Sequence, residues 1–100
     1  MSFTVELRGG PERGPLLASL RGVALPFEEI EKRRWEFPLL RGIDEYSITY
    51  FSWVQMRDLF DELATLAPDF EGEPRDTLER VIDLARRGST EPHNHLVFHR

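Results

Sequence analysis

The chain has no cysteine, which excludes a disulfide framework, thiolate catalysis and cysteine-ligated metal. No apolar run approaches the roughly 20 residues of a membrane span, so no membrane partner is expected. Met1 to Arg8 alternates polar and apolar residues and lacks the apolar run of a signal peptide. A cytoplasmic location is the default expectation. Lysine is nearly absent: Lys32 stands alone against twelve arginines, a bias that suits GC-rich coding and carries no functional signal. The sequence also lacks internal repeats, low-complexity segments, a glycine-rich phosphate loop and a G-x-S-x-G nucleophile motif.

What is present fits one domain spanning residues 1–100. A chain of this length removes somewhat over about 60% of its unfolded surface from water. With 40% hydrophobic and 11% aromatic residues, it has enough apolar surface to fold instead of staying disordered. The net charge of −5 is unevenly placed: residues 1–50 carry seven basic and eight acidic side chains, residues 51–100 six and ten. Between Asp58 and Glu79 there are eight acids against Arg75 alone. Such a field repels phosphate backbones and attracts basic surfaces, so a nucleic-acid partner is not expected.

The strongest folding signal lies between Tyr46 and Ala67. Tyr46, Ile48 and Tyr50 alternate with Ser47 and Thr49, the pattern of a half-buried strand with its apolar side on the tyrosines. Ser52 and Gln55 have the spacing of a capping box, with Phe51 and Met56 at the positions of a hydrophobic staple. Met56, Leu59, Phe60, Leu63, Leu66 and Ala67 then repeat at helical spacing, and Pro68 predicts an end near Ala67.

Around this centre, Phe3, Val5 and Leu7 predict an N-terminal strand, and Gly9–Gly14 is turn material. In Leu16–Leu25 the alternation of Leu16, Ala18 and Leu20 predicts a hairpin partner, and Gly22 argues against a long helix. Pro26 suits the first position of a short helix, whose apolar face takes in Phe27 and Ile30 and runs through Trp35. Phe37–Asp44 reads as irregular. After an acidic loop, Asp69–Glu73, Pro74 opens a helix with the stripe Leu78, Val81, Ile82 and Ala85. Arg86 and Arg87 suit the negative end of its dipole, and Gly88 its terminus. Asn94, Leu96 and Phe98 alternate with His93, His95, Val97 and His99 in a last strand. The order β-β-α-β-α-α-β predicts an α+β fold. It has a small antiparallel or mixed sheet of about four strands, two main helices on one face and a third, short helix.

Two sets of residues invite chemical readings. Period two puts His93, His95 and His99 on one strand face. His93 and His95 are near enough to share a metal, but His99 lies about 13 Å from His95 along an extended strand, so no metal site and no cofactor is expected. Asp58, Asp61 and Glu62 are helical neighbours, but nothing nearby supplies the raised pKa that acid–base catalysis needs. They read as a solvated helix face, and an enzyme is not expected. The run Lys32, Arg33 and Arg34 beside Trp35 is cancelled by Glu28, Glu29, Glu31 and Glu36.

Phe37-Pro38-Leu39-Leu40, Ile43-Asp44-x-Tyr46-x-x-Thr49-x-Phe51, then Gln55-Met56, and His95-Leu96-Val97-Phe98 near the end together form a pattern. It resembles that of a group of small uncharacterised bacterial proteins. About a third of the chain is covered. The sequence departs from the group at Ser47-Ile48, where the group tends to carry Gly-Asp. The resemblance implies a common fold, and it transfers no site because the group has no established activity.

The expected role is that of a small acidic protein-binding module, of the kind an immunity or inhibitor protein represents, held against a basic protein partner. The residues expected to bind it are Trp53, Asp58, Asp61, Glu62, Asp69, Glu71 and Glu73. Trp53 stands slightly out of line with the apolar stripe and suits an interface anchor. The alternatives are a subunit or homodimer in which a partner buries an edge strand or the sheet face, and a metal binder or enzyme using the histidine face.

Overall fold

Alternation in the first strand sets the frame. Phe3, Val5 and Leu7 point to one side and are buried, while Thr4, Glu6 and Arg8 point to the other. In the computed structural model, which describes residues 2–10 and 14–100, this strand, β1 (Phe3–Arg8), is followed by β2 (Leu16–Val23), α1 (Phe27–Lys32), β3 (Thr49–Ser52), α2 (Trp53–Leu66), α3 (Glu73–Gly88) and β4 (His95–His99). Single 3-10 turns sit at Leu40–Gly42 and Ala67–Asp69. The expected turn at Gly9–Gly14 falls partly outside the described residues.

The four strands form one sheet in the order β2-β1-β4-β3, and every pairing is antiparallel. The first and last strands are therefore the central pair, and β2 and β3 are the edges. The element order and the two-helix layer match the expectation. The helices cover the side of the sheet that carries Phe3, Val5, Leu7, Phe51, Leu96 and Phe98. α2 contributes Met56, Leu59, Leu63 and Leu66 to the core, and α3 contributes Leu78, Val81, Leu84 and Ala85. Each of these side chains larger than alanine contributes roughly 1.5–3 kcal/mol by leaving water.

The start of α2 forms as its sequence predicts. Gln55 N–H donates to Ser52 Oγ at 3.3 Å, and Ser52 N–H donates to Gln55 Oε1 at 2.9 Å. Phe51 and Met56 are both buried beside this cap. Gly88 differs from expectation. It is the last residue of α3 and lacks the left-handed conformation of a terminating glycine. Its role is close packing, since a Cβ there would meet Met56 and would lie 2.9 Å from Leu7 Cδ1.

Four further expectations need correction. The strand over Tyr46–Tyr50 starts only at Thr49, and its buried side is Thr49 and Phe51, not the tyrosines. Asp44 folds the preceding residues into a turn, its Oδ1 accepting from Tyr46 N–H at 2.9 Å, and the register of Thr49 on Phe98 and Phe51 on Leu96 then sets the phase. Leu16 is exposed, because an extra residue in β2 between the partners of Leu7 and Arg8 shifts it off the core side. Trp35 lies beyond α1 and is exposed. Its ring lies against the guanidinium groups of Arg34 and Arg41, at 5.4 and 5.2 Å, and not against the core. Pro26 is the residue before α1, not its first.

Candidate protein-interaction surface

α2 begins on an apolar pair, Trp53 and Val54, that the core does not take up; they are 39% and 62% exposed. At roughly 100° per residue, the buried stripe of Met56, Leu59, Leu63 and Leu66 fixes the outward side of α2. Trp53, Val54, Arg57, Asp58 and Asp61 all fall there and are exposed. Neither Asp58 nor Asp61 has a cation within ion-pair distance among the described residues. Apolar and acidic groups are thus side by side on one helix face.

Glu62 does not belong to this face, contrary to expectation. It is buried at the margin of the helix contact, and both its oxygens accept from Leu39 N–H at 3.1 Å, while Oε1 also accepts from Leu40 N–H at 3.0 Å. The carboxylate caps the 3-10 turn that leads toward β3 and supplies acceptors for two amides that helix geometry leaves unpaired. Burial raises its pKa, and the Leu40 and Leu39 amides oppose that shift. The sequence shows Glu62 as one more acid. What sets it apart is its angular position, half a turn from Trp53 at the edge of the apolar stripe.

The acidic loop divides as well. Asp69 is ion-paired with Arg33, which also meets Glu36 at 2.7 Å and Glu29 at 3.7 Å. This cluster ties the turn after α2 to α1, so the Asp69 charge is already offset. Glu71 and Glu73 are exposed and make no ion pair among the described residues. Asp76, one turn into α3, behaves likewise, whereas Glu79 is paired with Arg75 at 3.2 Å.

Among the described residues, no helix covers the opposite side of the sheet. Thr4, Glu6 and Arg8 of β1, His95, Val97 and His99 of β4, and Tyr50 of β3 line it. Register sets Arg8, His95 and Ser52 in one row, and Glu6, Val97 and Tyr50 in the next. Glu6 sits between Arg8 at 3.1 Å and His99 Nε2 at 3.6 Å. The Tyr50 and His95 rings are 6.2 Å apart, and Nε2 of His95 is buried without a hydrogen-bond partner. His93 is not on this face. It lies in the turn before β4 with a left-handed backbone (φ 73°), so the three histidines do not line up as period two predicts. Asn94 beside it is buried, and its Nδ2 donates to the Gly88 carbonyl at 3.3 Å, satisfying the end of α3.

Tyr46 lies in the turn before β3, and Ile48 and Tyr50 continue this side of the sheet toward the free edge. They are 81%, 57% and 54% exposed. With Trp53 and Val54, most of the large exposed apolar side chains lie along β3 and the start of α2. Among the described residues no helix is long and apolar enough to cross a membrane. Comparison with protein-family models, with curated proteins and with solved structures gives no match.

Proposed function

We propose that this protein is a protein-binding module that takes a basic surface of another protein against the outward side of α2. The observation that carries the reading is the juxtaposition of Trp53 and Val54 with Asp58 and Asp61, acids with no cation at ion-pair distance among the described residues. Exposed carboxylates speed encounter and select a complementary partner, while an aromatic excluded from water supplies the slow dissociation that charges alone rarely give. Glu71, Glu73 and Asp76 extend the field. An inhibitor or immunity role against a basic protein fits this chemistry, with binding rather than catalysis as the activity. The shared motif fits a common fold with the small bacterial proteins it resembles: Phe37, Leu40, Ile43, Phe51 and Met56 are core residues, and Gln55 is a cap.

The test is kinetic. Once affinity capture with the purified chain has identified a partner, Asp58→Lys with Asp61→Lys should slow association about tenfold or more and weaken its salt dependence. Trp53→Ala should mainly speed dissociation. An association rate unchanged by the double reversal would place the site elsewhere.

A further inference from the structure

We propose that two copies of this chain associate through the free edge of β3, pairing it antiparallel to itself about a two-fold axis. This goes beyond the reading above and rests on other residues. Three observations carry it.

The first is the edge itself. β3 is a terminal strand with regular register; Tyr50 is exposed on its helix-free side, and Ile48 and Tyr46 are exposed in the residues that lead into it. An edge strand with unpaired backbone groups is a template for another strand. The other edge, β2, is interrupted by two register shifts, and such bulges discourage strand addition.

The second is area. With exposures of 81%, 57% and 54%, the three side chains offer roughly 400 Å² on a scale in which a whole aromatic side chain offers about 150–250 Å². A standard interface buries about 800 Å² per partner, of which about 57% is apolar. The apolar share required and the share available are therefore similar, and the polar edge residues Ser47, Thr49 and Ser52 supply much of the rest.

The third is charge. Two identical chains of net charge −5 repel each other, and the side bearing Asp58, Asp61, Glu71 and Glu73 cannot meet its own copy. Around β3 the charges nearly cancel: Glu6, Asp44 and Glu45 against Arg8 and Arg100. Arg100 lies beside Glu45 and Tyr46 at the start of β3, and Arg8 is paired with Glu6, so neither end of the strand carries a large excess of one sign. A two-fold interface of this kind is self-complementary and closed.

The purified full chain should sediment as a concentration-dependent monomer–dimer mixture. Ile48→Lys with Tyr50→Lys should raise the dimer dissociation constant at least about tenfold and leave the far-ultraviolet circular dichroism unchanged. Leu17→Lys, on the other edge, should leave the dimer intact, as should Asp58→Lys with Asp61→Lys, so that failure here and failure of the partner-binding reading are distinguishable. Because the chain has no cysteine, Tyr50→Cys provides a second measurement that does not need the lysine variant to fold: mild oxidation should link two chains. A wild-type chain that stays monomeric at about millimolar concentration overturns the proposal. So does a dimer that survives the lysine pair, one that is lost with Leu17→Lys, or a failure of Tyr50→Cys to cross-link.

Discussion

β2 runs eight residues beside β1 and buries only its last, Val23, whereas β3 runs four residues beside β4 and also buries one, Phe51. The longer edge is thus the more weakly anchored in the core. It follows β1 through two bulges, the first at Gly22, whose φ of 67° suits a residue without a Cβ. The shorter edge is straight. The Phe51 ring meets Phe98 edge-on at 5.7 Å, and α2 continues directly from the strand. The difference shows two ways of finishing a sheet. β2 is shielded from further strands by its irregularity, and β3 only by its shortness, which leaves its apolar outer residues open.

The largest expected effect tests that anchoring. Phe51→Ala should destabilise the fold by about 3–5 kcal/mol, the usual cost of truncating a buried phenylalanine. Leu20→Ala, facing the core from β2 but only half-buried, should cost about 1–2 kcal/mol. Urea unfolding of both variants checks the order, and equal losses would erase the distinction between the edges.

Next in size is the fastening of the segment that leads into β3. Glu62→Ala leaves the Leu39 and Leu40 amides without their acceptor and should cost about 1.5–3 kcal/mol; Glu62→Gln, which keeps one acceptor oxygen, should recover much of this. The pH dependence has a definite sign. Burial raises the folded-state pKa of Glu62, so in this window the folded chain binds the proton more tightly than the unfolded chain. The contribution is complete below the unfolded pKa and is lost as pH rises through the raised folded value. Glu62→Gln should remove that slope, and urea midpoints collected from the ordinary glutamate range upward would reveal it.

The smallest effect concerns the bulge. Gly22→Ala has space for its methyl group, so its cost is conformational alone, about 1–2 kcal/mol for an L-residue held in left-handed geometry. Amide exchange should quicken in β2 and stay unchanged in β3. Equal quickening in both would mean that the edges unfold together.

Local physics made much of this molecule legible from its residues. The capping box at Ser52 and Gln55, the stripe of α2, the Pro68 stop and the alternation of β1 depend on neighbours a few positions apart, and the sequence by itself determined them. The order of elements followed from the same signals. Tertiary structure decided what depends on distant partners. Alternation around Tyr50 signalled a strand, but only pairing with β4 chose which of its two sides met the helices, and it chose Phe51. Glu62 looked like its acidic neighbours until a loop more than twenty residues away brought its amides to the carboxylate. Gly88 carried the signature of a helix end, yet it is small because Met56 and Leu7 crowd against it. The candidate surface divided in the same way. The acids Asp58 and Asp61 could be placed outward from helical spacing alone, but the apolar edge of β3 appeared only once strand order had left that edge without a neighbour.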